Sequence, residues 1–134
     1  MFQFKDKTVL IIGAGRGIGK RLAIGFAAAG ARIGLLARSK AELDLVNLEI
    51  EHAGGISLRL RADVREFEEV TAAIERLSVQ FGPVDTLICA HAVFGSIAPL
   101  AECSPEDWSQ ATQTNLVGSM HACRAVLPAM LERS

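Results

Sequence analysis

Gly13, Gly15, Gly17 and Gly19 lie within seven residues, directly after the apolar run KTVLII at 7–12. Glycine adopts positive φ without a Cβ penalty, so such a segment can turn sharply from a strand into a helix. Bare backbone also lets an anion approach, and the first N–H groups of the next helix have no acceptor within it. The predicted chemistry is therefore the holding of a pyrophosphate. The spacing excludes a P-loop, which would need glycine at Ala14 and Ser or Thr at Arg21. It also departs from G-x-G-x-x-G and fits G-x-x-x-G-x-G through Gly13, Gly17 and Gly19. Arg16 and Ile18 are the side chains carried inside this turn.

A ribose bound to such a turn is read at the end of the second strand, where a carboxylate selects a free 2′-hydroxyl. Here Ala37 occupies that place, followed by Arg38 and Ser39. A guanidinium with a neighbouring hydroxyl suits a 2′-phosphate, and Arg16 is placed to reach the same group. The expected cofactor is NADP(H), with NAD(H) the weaker ligand. One charge-assisted contact of roughly 1.5–3 kcal/mol corresponds to a preference of about 10- to 100-fold.

The elements that must position these residues alternate. Residues 7–12 and 31–37 are apolar runs without polar alternation, as in strands covered on both faces. Residues 17–29 carry Ile18, Leu22, Phe26 and Ala29 at helical spacing, with Gly30 ending the helix. Ser39 is the expected N-cap of a helix to about Ala53, with Leu43, Val46 and Ile50 inward. ISLRLRADV at 56–64 alternates, as a strand near a sheet edge does. Phe67, Val70, Ile74, Leu77 and Phe81 define the next helix, broken by Gly82-Pro83, and VDTLICA at 84–90 is a fourth strand. SPED at 104–107 opens a long helix whose predicted inward stripe is Trp108, Ala111, Leu116, Met120, Cys123, Leu127 and Met130. This order predicts one α/β domain over 1–134, a Rossmann-type doubly wound parallel sheet of strand order 3-2-1-4 that stops before a fifth strand.

Composition narrows the function classes. Lys and Arg total 14 against 15 Asp and Glu, which leaves no basic footprint for nucleic acid. The N-terminus lacks a signal-peptide pattern and no run is long and apolar enough for a membrane span. Three cysteines without CxxC spacing favour neither disulfides nor a zinc site, so a cytoplasmic location and no metal are expected. Cys89 and Cys123 read as small core residues, and His121 as a surface one.

Taken together, IGAGRGIG (12–19), ARS (37–39), ADV (62–64) and WSQATQTNLVGSMHACRAVLPAM (108–130) resemble the classical short-chain dehydrogenase/reductase family, over essentially the whole chain. The resemblance implies hydride transfer between a nicotinamide cofactor and an alcohol or carbonyl substrate. It implies that Asp63 meets the adenine and that Val64 lines its pocket. Ala90 stands where the family keeps room beside the nicotinamide ribose, and Asn115 matches an Asn that organises a proton-relay water. Two departures stand out here: Ile12 for the family's Thr, and Cys89-Ala90-His91-Ala92 for Asn-Asn-Ala-Gly, which puts His91 where a small residue is usual. His91 is expected either to face solvent or to narrow the cofactor channel.

The resemblance also implies a catalytic Ser and a Tyr-x-x-x-Lys, which in the family come later than residue 134. The chain contains no tyrosine, and its lysines end at Lys40. Residues 1–134 alone are therefore expected to be the cofactor-binding portion of an oxidoreductase, inactive without a C-terminal half that would also receive the substrate. The alternative is a non-catalytic nucleotide-binding or interaction module that pairs through the open edge of its fourth strand. In either case self-association is expected.

Overall fold

The computed structural model describes residues 3–134. Four parallel strands, β1 (Thr8–Ile12), β2 (Arg32–Ala37), β3 (Ile56–Arg61) and β4 (Thr86–Cys89), form one sheet in the order β3-β2-β1-β4. The predicted order is met, with β3 at one edge and β4 at the other. Helices α1 (Gly17–Ala28), α2 (Lys40–His52) and α3 (Phe67–Phe81) make the crossovers. After β4 come a single 3-10 turn, α4 (Pro105–Thr112), a π-helical segment (113–117) and α5 (Gly118–Glu132). The last helix is thus continuous in direction but widened by a π segment where one unbroken α-helix is predicted.

β1 is buried along its whole length, and its period of two divides the core. Val9 and Ile11 face α1 and α2, packing with Ala23, Ile33, Leu35, Leu43 and Val46. Leu10 and Ile12 face α3 and α5, packing with Leu36, Leu60, Ile74, Leu77 and Val126. Each such aliphatic side chain, fully buried, contributes about 1.5–3 kcal/mol, so the two central strands anchor both layers.

The inward stripes of α2 and α3 are as predicted: Leu43, Val46 and Ile50, then Val70, Ile74 and Leu77. Those of α1 and α5 are not. The buried residues of α1 are Gly19, Ala23 and Ala27, while Ile18 is exposed. Those of α5 are Gly118, Ala122 and Val126. Leu116, Met120 and Leu127 of the predicted stripe are exposed, as are Trp108 and Cys123. In both helices the smallest residues carry the contact because the backbone comes close. A Cβ on Gly118 would stand 2.7 Å from a Val64 methyl. Cys89 is likewise exposed rather than a core residue. His121 is half-buried, with Nδ1–H donating to the Val64 carbonyl at 2.7 Å.

Candidate functional site

The carboxyl ends of β1 and β4 diverge at the point where the chain switches sides of β1, and a cleft of about 440 Å³ opens there. Its lining includes Gly13, Gly15, Arg16, Gly17 and Ile18 from the turn, Arg38 beyond β2, Asp63 and Val64 beyond β3, and Ala90 beyond β4. Nine of the predicted cofactor residues thus converge on one surface. Gly19 and Ser39 do not line it. Gly19 is buried against the Gly13 carbonyl and seats α1 on the turn. Ser39 caps α2, its Oγ accepting from the Glu42 N–H at 3.2 Å.

The turn is held open by backbone geometry. Gly13 sits at φ 79°, and a Cβ there would lie 2.8 Å from the backbone of Ala90 and His91. Its N–H and that of Ala14 both donate to the Leu36 carbonyl, at 2.8 and 3.2 Å. Those two amides are therefore committed to the sheet and withdrawn from the predicted anion set. Further on, Lys20 N is the first donor to close an intrahelical bond, to the Arg16 carbonyl. The N–H groups of Gly17, Ile18 and Gly19 precede it and have no acceptor inside α1. No side chain caps this helix and no acid lies in its first turn, so its positive end is uncompensated.

Charge around the cleft is divided. The side chains of Arg16 and Arg38 are exposed and make no ion pair among the described residues. Asp63 is engaged by Arg65, whose Nη2 lies 2.6 Å from Oδ2 and whose backbone N–H and Nε both reach Oδ1 at 3.0 Å. The hydrogen bonds from Arg65 hold its carboxyl below the usual carboxylate range. Asp63 therefore faces the cleft as a fixed, ionised group. Each oxygen accepts two contacts from Arg65.

On the opposite wall, His91 is half-buried and lines the cleft. Its Nε2–H donates to the Thr114 carbonyl at 2.9 Å, and Nδ1 is buried without a partner. Burial pushes the imidazole pKa down. Asn115 lies outside the cleft lining. Its Oδ1 accepts from Val93 N–H at 2.9 Å and its Nδ2 donates to the Val93 carbonyl at 2.8 Å. This clamp ties the loop after β4 to the π segment.

Glu42, Val93, Phe94 and Thr114 line the cleft and escape the sequence reading. Thr114, whose carbonyl receives His91, is positioned by the π segment, which no periodicity announces. Glu42 lies in the first turn of α2 with its carboxylate in the cleft. The only signal was its spacing from Ser39, which suggests a capping box rather than a site. Among the described residues, no group of three or more His, Cys, Asp or Glu is arranged to hold a metal, and no helix is long and apolar enough to cross a membrane.

Comparison with known proteins agrees with this geometry. The chain is 38% identical over 130 residues to a 3-dehydrosphinganine reductase of Arabidopsis thaliana, covering 96% of this chain and 38% of that protein. The structure superposes on a 3-ketoacyl-ACP reductase from Sinorhizobium meliloti with a TM-score of 0.90 and 32% identity, covering 94% of this chain and 49% of that one. A metagenomic short-chain oxidoreductase solved in complex with NADP gives a TM-score of 0.92 at 28% identity, covering 98% of this chain and 60% of that one. The chain thus spans between 38% and 60% of the length of these relatives. The short chain dehydrogenase signature matches residues 7–134, and with this sheet order and this glycine turn the chain belongs to the short-chain dehydrogenase family.

Proposed function

We propose that residues 1–134 form the NADP(H)-binding portion of a short-chain oxidoreductase that acts on an alcohol or carbonyl substrate. The observation that carries this is the N-terminus of α1, whose first three amides have no acceptor in the helix, opening into the same cleft as Arg16 and Arg38, which make no ion pair among the described residues. The residues fit a dinucleotide. The amides of Gly17, Ile18 and Gly19 suit the pyrophosphate, Arg38 and Arg16 a 2′-phosphate, and Asp63 and Val64 the adenine end. Ile12 and Ala90 leave apolar, low-walled space toward β4. When bound, the nicotinamide supplies or accepts hydride. This chain's own residues bind it, orient it and shield one side from water.

None of residues 1–134 offers a phenol for proton transfer, since the chain has no tyrosine. These residues alone are therefore proposed to bind cofactor without reducing a carbonyl. NADPH and NADH titrations test the assignment directly. Arg38→Ala should weaken NADPH binding by about 10- to 100-fold while changing NADH little. Equal dissociation constants for the two cofactors in the unaltered protein would remove the NADP(H) preference.

A second reading is favoured by a separate observation. Among the described residues β4 pairs only with β1, and its neighbour α5 exposes apolar side chains. This surface suits pairing with a second copy of the chain through the strand edge or the helix face.

A further inference from the structure

The wall between β2 and the glycine turn contains a carboxylate that the family resemblance does not assign. Glu42 Oε2 lies 2.6 Å from where a Cβ of Gly15 would be, and that same point is 3.6 Å from the Ala37 methyl. The acid therefore fills the gap between the turn and the carboxyl end of β2. That is the position from which a carboxylate reads a ribose 2′-hydroxyl, and Ala37 leaves it vacant on the strand itself.

A structural role accounts for only half of this residue. Ser39 and Glu42 have the spacing of a capping box, in which the acid returns a bond to the backbone N–H of the cap. Glu42 N–H does donate to Ser39 Oγ. No reciprocal bond from Ser39 N–H to the carboxylate exists among the described residues, nor does any cation pair with it. The half-buried acid is turned into the cleft that Arg16 and Arg38 also line.

We propose that Glu42 is a specificity-determining residue, resting on the dinucleotide assignment above: it accepts from the ribose hydroxyl of NAD(H) and opposes the 2′-phosphate of NADP(H). The ribose site is then two-sided. Arg38 and Arg16 attract the phosphate from one side, while Glu42 supplies from a helix the acceptor that β2 lacks. NAD(H) remains a working ligand, and the NADP(H) preference stays below what two arginines alone would give.

The test is the ratio of dissociation constants for NADPH and NADH, measured by fluorescence or calorimetric titration on the unaltered protein and on Glu42→Gln. Glu42→Gln keeps the backbone cap and the side-chain volume. Glu68→Gln, the same charge change on α3, serves as a control for net charge. Glu42→Gln should shift the ratio toward NADPH by about five- to tenfold, with NADH weakened and NADPH strengthened. Glu68→Gln should leave it unchanged. 2′,5′-ADP against ADP should show the same shift, which locates the effect at the ribose. An unaltered ratio in Glu42→Gln, with both cofactors still binding and thermal unfolding unchanged, overturns the inference alone. Failure of both dinucleotides to bind the unaltered protein overturns the cofactor assignment and this inference with it.

Discussion

The two sides of β1 are finished to different degrees. Toward β2 the chain covers itself: β2 has a strand on either side, and Ile33, Leu35 and Leu36 are fully buried between helices. Toward β4 it does not. Leu87 and Ile88 are only partly covered, Cys89 is exposed, and α5 presents Met120, Leu127 and Leu131 outward. Both halves contribute to the cleft, yet only the first has a closed core behind it. A phosphate-holding turn needs a rigid backbone, and the turn sits on the closed half. The loop after β4, which completes the other wall, is tied to the π segment by its own His91 on Thr114 and by Asn115 on Val93.

The comparison can be broken by paired deletions. Ile11→Ala, on the fully buried face of β1, should cost about 3–4 kcal/mol in chemical denaturation. Leu116→Ala, at 68% exposure, should cost no more than about 0.5 kcal/mol in dilute solution. Equal costs would mean that the two halves are equally closed. If Leu116→Ala instead becomes costly only as protein concentration rises, the helix face is being covered by a second copy.

Self-association sharpens the same contrast. Sedimentation equilibrium should show oligomers, and Leu116→Glu with Met120→Glu should weaken them at least about tenfold, because two charges replace apolar area that association would bury. Glutamates on the exposed positions should leave the monomer folded. A unaltered protein that stays monomeric across its soluble range would remove the pairing proposal and leave the open edge unexplained by association.

Strand order and the cores of α2 and α3 could be read because Leu, Ile and Val at the expected spacing bury where spacing puts them. α1 and α5 defeated that logic. Their inward faces are Gly19, Ala23 and Ala27, and Gly118, Ala122 and Val126, where close approach selects small residues and sends the larger ones outward. A size-weighted stripe points the wrong way in such helices. The glycine turn, Arg38 and Asp63 could be placed at one cleft because strand ends converge by topology. Three features were hidden for local reasons. Gly13 and Ala14 lose their amides to Leu36 through sheet register, Asn115 is satisfied by the Val93 backbone, and Glu42 leaves a cap bond unmade to face the cleft.

The smallest expected effect tests how the β4 wall is held. His91 uses Nε2–H on the Thr114 carbonyl, so protonation would place a second N–H at Nδ1, where no acceptor stands. Burial is the main cause of its lowered pKa, against a weaker opposing contribution from the Thr114 bond. The folded pKa thus lies below the ordinary 6.5, and between the two values the unfolded chain binds the proton that the fold excludes. Stability from this residue is complete above 6.5 and declines as pH falls below it, with a slope of at most about 1.4 kcal/mol per pH unit. Asp63 acts in a separate window. Its pKa lies below 3.8, so its contribution persists above 3.8 and is lost only as pH falls further, through the folded value. Denaturation midpoints compared at about pH 7.5 and about pH 5.5 should therefore fall in the unaltered protein and stay level in His91→Gln, while both share the same loss in stronger acid. An identical decline in His91→Gln would show that the imidazole is not what the β4 wall closes over.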